Sequence, residues 1–140
     1  MKDLERAYAS TIYRMYVGSK ALDFSVDAQR PKESRIVFWR RIPRWVFITA
    51  HNPKSVMLSE RENSVLDKKL KSFLIGKKFK FVRGDAIPRS SYWTIEKGFF
   101  VFNISKAVAK KICQRFNQNA ILYSGTLDRP HIIWNEAIYG

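Results

Sequence analysis

The chain contains one cysteine, Cys113. That excludes an intramolecular disulfide and a cysteine-rich zinc site, and makes a reducing, cytoplasmic location the expectation. It has two histidines, His51 and His131, which are not at ligand spacing, so no metal site is expected. No apolar run approaches the ~18 residues that a spanning helix needs, and MKDLERAYAS lacks the apolar stretch of a signal peptide, so no membrane role is expected. Repeats, low-complexity tracts, Ser/Gly linkers and a glycine-rich phosphate loop are all missing, and no cofactor is implied. Acids are scarce: 12 Asp and Glu face 26 Lys and Arg, for a net charge of +14 and a pI near 10.2. Such an excess concentrates polyanions around the protein and points to nucleic acid, a nucleotide or an acidic protein partner.

What is present suits a folded molecule. With 140 residues, 46% of them hydrophobic and 14% aromatic, the chain can bury a core without staples. The expectation is one domain over residues 1–140, an N-terminal extension (1–44) packing on a 45–140 core. Leu4, Ala7, Tyr8 and Thr11 share a helical face, and Ile12 to Val17 reads as a strand. Residues 18–33 are weakly patterned, and SRIVFWRR, Ser34 to Arg41, is a strand candidate.

The signals sharpen from Trp45. WVFITA is a strand that Pro53 ends. Ser59-Glu60-Arg61-Glu62 has the form of a capping box opening a helix with Leu66, Leu70, Phe73 and Leu74 on one face, closed by Gly76. Lys78 to Phe81 alternates as a strand, Gly84 to Ser91 reads as a loop, and Phe99 to Ile104 as a strand. Ser105 caps a second helix, with Val108, Ala109, Ile112, Cys113 and Phe116 inward. Asn119 to Tyr123 and His131 to Trp134 close the series as strands. The order over 45–124 is β-α-β-β-α-β, so the fold class expected is α+β with a ferredoxin-like core, both helices on one face.

Lys97-Gly98-Phe99-Phe100-Val101-Phe102 opens like the aromatic strand of an RNA-recognition motif, then departs from it. Phe100 stands where a small residue belongs, and aromatics fall on both faces, which suits a sheet buried on both sides. The basic residues form blocks. Arg35, Arg40, Arg41 and Arg44 surround Trp39 and Trp45, a setting for phosphate binding and stacking. Lys68 on the first core helix, and Lys106 and Lys110 on the second, are candidates for a phosphate-binding surface. Cys113 falls on a core face and reads as packing. Glu62 and Glu96 are the only acid–base pair worth considering, and Glu62 already has a capping role.

The segments ITAHNPKS, SERENSVLDKKL and WTIEKGFFVFNISKAVAKKICQRFNQNAIL together resemble the domain-of-unknown-function 3293 family of small bacterial proteins. The family's pattern runs T-A-x-N-P-x-S, then E-N with spaced leucines, then W and E before a hydrophobic strand, then F-G-Q-N-A. The resemblance singles out Thr49, Asn52, Pro53, Ser55, Glu62, Asn63, Trp93, Glu96, Phe116, Gln118 and Asn119. Asn117 stands where the family has glycine, a mild departure because Asn tolerates a left-handed helix end. The resemblance implies no activity.

Thr49, Asn52, Ser55, Glu62, Asn63, Trp93, Glu96, Gln118 and Asn119 are therefore the expected ligand-binding set. Arg35, Arg40, Arg41, Arg44, Lys68, Lys106 and Lys110 are the expected nucleic-acid contacts. Amides with few titrating groups suit recognition better than proton transfer. The expected function is a non-catalytic binding domain for an anionic ligand, nucleic acid or a nucleotide. An interaction or inhibitor module docking on an acidic partner, and a small enzyme acting on a nucleotide-like substrate, stand as alternatives.

Overall fold

The computed structural model describes residues 2–29, 31, 43–91, 93–126 and 129–139. The strand expected over 34–41 and the residues Arg35, Arg40 and Arg41 lie outside the described residues. The class is α+β, with four described helices, α1 (Lys2–Ser10), α2 (Glu60–Gly76), α3 (Lys106–Arg115) and α4 (Glu136–Tyr139). The strands are β1 (Ile12–Val17), β2 (Lys20–Phe24), β3 (Trp45–Thr49), β4 (Phe81–Ile87), β5 (Glu96–Phe102), β6 (Ala120–Ser124) and β7 (His131–Trp134). They form one antiparallel sheet in the order β2-β1-β4-β5-β3-β6-β7.

Both helices of the core begin where the sequence provides a cap. The Ser59 hydroxyl accepts from the Glu62 amide while the Glu62 carboxylate accepts from the Ser59 amide, and Ser105 accepts from Val108. Their ends take a left-handed residue, Lys78 (φ 62°) after α2 and Asn117 (φ 54°) after α3. The helix stops at Gly76 as expected, with the left-handed residue two positions further on.

Leu70 and Leu74 of α2 and Ala109, Ile112 and Cys113 of α3 pack on Val46, Ile48, Phe99, Val101, Ile121 and Tyr123 of the sheet. Val108 differs from expectation, being exposed.

The other sheet face is buried too, by the sheet itself. Tyr13, Met15, Leu22 and Phe24 of β1 and β2 pack with Trp45, Phe47, Phe100 and Leu122. In a flat sheet β2 and β3 would lie about 19 Å apart, four strand spacings. Yet the Phe24 and Trp45 rings are 4.8 Å apart, and those of Tyr13 and Phe47 are 5.4 Å apart. The sheet is therefore strongly curled. The amide of Asp27, just beyond β2, donates to the carbonyl of Pro130 before β7 at 2.7 Å, joining the two edges. The N-terminal strands both extend the edge at β4 and cover the second face.

Two glycines permit the curl. Gly84 and Gly98 face each other across β4 and β5. A Cβ at Gly84 would collide with the Phe100 ring; one at Gly98 would sit 2.5 Å from the Ile48 carbonyl oxygen and 2.7 Å from the Phe47 ring. This also corrects the loop expected from Gly84 onward. Gly84 lies inside β4, where a phenyl ring takes the place of its missing side chain. Gly98→Ala must shift β3 backbone, so we expect it to lower stability by about 1–3 kcal/mol in urea denaturation, against little change for Gly76→Ala, where the space is open.

Candidate functional site

At the mouth of the curled face a cleft of about 550 Å³ opens between α1, residues 88–90 and 93–94, and the ends of β3, β5 and β6. Its walls are largely apolar: Leu4, Ala7, Tyr8, Phe47, Ile121 and Leu122. Of the expected ligand-binding set, Thr49, Ser55, Trp93 and Glu96 line it. Strand parity explains two of them, since Thr49 continues the Trp45 and Phe47 face and Glu96 continues the Gly98 and Phe100 face.

The expected amides stand behind this wall and brace it. The Pro53–Ser55 segment is a short 3-10 turn whose Asn52, Lys54 and Ser55 all have positive φ (48°, 55° and 57°). Asn52 is the joint. Its amide nitrogen donates to Asn63 Oδ1 at 2.8 Å, and its Oδ1 accepts from Asn63 Nδ2 at 2.9 Å and from the Leu58 amide at 2.8 Å. Its Nδ2 donates to Glu96 Oε2 at 2.8 Å. Gln118 Nε2 donates to the His51 carbonyl at 3.1 Å and Asn119 Nδ2 to Ser55 Oγ at 2.6 Å. Thr49 Oγ1 donates to the Lys97 carbonyl at 2.6 Å. Among the described residues no buried side-chain nitrogen or oxygen lacks a partner. Within the protein these amides fix the turn and, through Asn52, one carboxylate.

That carboxylate, Glu96, is the cleft's chemical feature. Burial raises its pKa above the ordinary value, and the hydrogen bonds from Asn52 and Trp93 offset part of the rise. Tyr8 and Tyr13 are held as neutral phenols, first by burial and then by neighbouring groups including Glu96. Glu62 does not join Glu96. It is exposed and serves the cap of α2, so the two acids do not form a catalytic pair. Cys113 is buried, its thiol pushed up to about 12 by desolvation and its Sγ bonded to the Gln118 carbonyl, which fits packing. Among the described residues no group of three His, Cys, Asp or Glu is placed to hold a metal.

A second concavity, of about 790 Å³, lies on the opposite, helical side, between α2 and α3. Lys68, Lys69 and Arg115 line it together with Phe73 and Phe116, and the Arg115 guanidinium sits 4.7 Å from the Phe73 ring centre. Of the expected nucleic-acid residues, Lys68 is at this groove. Lys106 lies over the Tyr123 ring and Lys110 pairs with Glu136 at 3.2 Å, both toward β6 and β7. Arg44, just before β3, is exposed. Sequence reasoning missed Arg115 and Tyr8. Arg115 follows Lys111 by one helical turn, a signal that was available. Tyr8 reads only as part of a helical stripe.

Removing the brace tests its structural role. Asn63→Ala deletes two bonds to Asn52 and strands a buried amide, so unfolding stability should fall by about 2–4 kcal/mol in chemical denaturation. The carboxylate has a pH signature. An acid with a raised native pKa binds more protons folded than unfolded, so stability falls as pH rises from the ordinary carboxylate value through the raised one. Glu96→Gln removes that loss. Its melting temperature relative to the unaltered chain should therefore be higher at pH 7 than at pH 4, as thermal scans at the two pH values would show.

Residues 48–121 match the model of a family described as protein of unknown function (DUF3293). The chain belongs to this family. Searches of curated proteins and of solved structures gave no match.

Proposed function

We propose that this DUF3293 member is a non-catalytic binding protein for nucleic acid, gripping phosphates with its helical layer. The observation that carries this reading is the groove between α2 and α3, where Lys68, Lys69 and Arg115 gather beside Phe73 and Phe116. After the first turn of α2 the two helices carry one acid, Asp67, which is buried and bound by both guanidinium nitrogens of Arg83 at 2.8 Å. Apart from Lys110, which reaches Glu136 on α4, the surrounding lysines thus meet no competing carboxylate on their own helices, and such a row of cations suits a polyanion backbone. Arginine stacked on a phenyl ring keeps its fork of donors directed for a phosphate.

We also read the core as ferredoxin-like. The sheet order β6-β3-β5-β4, with α2 and α3 packed on one face, supports this. It sets the outer surfaces of the two helices side by side, as a shared phosphate track requires. The sheet's aromatics are consumed by the two cores, so bases would not stack there. Binding by phosphate contact is then tolerant of sequence. A lone buried thiol agrees with a reducing, cytoplasmic setting. No helix is long and apolar enough to cross a membrane among the described residues.

Titration with short single- and double-stranded oligonucleotides tests the reading. Affinity should fall steeply between about 50 and 200 mM salt, and Lys69→Glu with Arg115→Glu should flatten that slope by about one to two units. Binding absent at low salt, or unaffected by both reversals, overturns it. A stoichiometric partner from lysate that resists nuclease would instead assign the basic face to an acidic protein.

A further inference from the structure

We propose that the cleft beneath α1 is a second, separate site that takes a small amine: one cationic nitrogen, seated on Glu96, carried by an apolar body. It lies across the sheet from the helical groove and does not depend on the nucleic-acid reading.

Three features set this chemistry. The volume, about 550 Å³, falls in the range of about 300–1,000 Å³ usual for small-molecule sites. The wall is apolar, with Leu4, Ala7, Phe47 and Leu122 offering contact to a hydrocarbon or aromatic body. Besides Asp3, which is exposed on α1, the cleft holds the half-buried Glu96, which among the described residues forms no ion pair with any Lys, Arg or His. Its hydrogen-bond partners among the described residues are neutral donors, Asn52 and Trp93.

A carboxylate drawn from water without a cation is a costly arrangement, and an ammonium group supplies the missing charge. The rings of Tyr8 and Trp93 line the same space and favour a cation through their π faces. At the rim Asp3 and Arg89 carry opposite charges, so the Glu96 carboxylate decides the sign of the guest. An anion would meet that carboxylate directly. The chain's large positive charge therefore does not extend to this pocket, and a ligand of the opposite kind is selected here. The selectivity is local because the brace fixes one geometry: Asn63 holds Asn52, and Asn52 holds Glu96.

Calorimetric titration of the whole chain with phenethylamine, 2-phenylethanol and 3-phenylpropionate at pH 7.5 tests the assignment. The amine should bind most tightly and the carboxylate most weakly. Glu96→Gln, verified as folded by its circular dichroism and melting temperature, should weaken the amine roughly tenfold or more while leaving the alcohol unchanged. Ala7→Trp, at an exposed helix position on the cleft wall, should reduce binding of both and leave oligonucleotide titrations as they were. The proposal is overturned if phenethylamine does not bind, if it binds no better than the alcohol, or if Glu96→Gln leaves its affinity intact. None of those results bears on the helical groove, which the oligonucleotide titrations read independently.

Discussion

The contact on which the molecule turns is the pair of phenyl rings laid over paired glycines, Phe100 on Gly84 and Phe47 by Gly98. Side chains at those glycines would hold the strands flatter. Without them the rings sink into the sheet, the strands twist harder, and β1 and β2 swing over the second face. Each fully buried aromatic there stabilises the fold by about 2–3 kcal/mol through burial alone, with a further fraction from edge-to-face packing at 5.0–5.1 Å between Phe100 and its neighbours Trp45 and Phe47. A single structural decision thus creates an inner core, leaves an open mouth at one end, and confines the helices to the outside.

The mouth needs a rigid rim, and Asn52 supplies it. A left-handed residue after a core strand exposes its backbone groups at odd angles, and asparagine is one of the few residues that accepts the conformation while returning hydrogen bonds from its side chain. Here those bonds reach in three directions: into α2 through Asn63, along the turn through Leu58, and across the sheet to Glu96. Gln118 and Asn119 bring the end of α3 to the same turn. Three elements distant in sequence are fastened at one point. Loss of any one bond would be felt by the others, because buried polar networks tolerate partial satisfaction poorly.

Much of this was written plainly in the chain. The capping residues Ser59 and Ser105 and the order of elements after Trp45 follow from local chemistry, and the gathering of Asn52, Asn63, Gln118 and Asn119 follows from that order once the strands are paired. What escaped has a common cause in long-range pairing. Gly84-Asp85 reads as a turn because the ring that replaces the glycine side chain comes from another strand. β2, KALDF, carries only Leu22 and Phe24 as buried alternates, too short a pattern to stand out. The third wall of the cleft comes from Tyr8, whose helical stripe says that one side is covered and nothing about what covers it. The amides themselves were visible, but their partners were not, and so bracing could not be told from recognition by composition.

The division of charge follows from the same architecture. Curling the sheet places its second face indoors, where ionisation is expensive and a carboxylate survives only when several donors hold it. The convex side keeps the helices, whose outer faces stay in water, where lysines cost almost nothing to maintain and repel one another weakly through screening. A chain with a net charge of +14 can therefore present a cationic exterior and still enclose a pocket with a local negative charge, because dielectric and distance separate the two. At about 8–10 Å the screening length in physiological salt is comparable to the thickness of the sheet and its side chains, so neither surface overrides the other. Net charge alone would have assigned both surfaces to anions; the position of Glu96 relative to the fold is what distinguishes them.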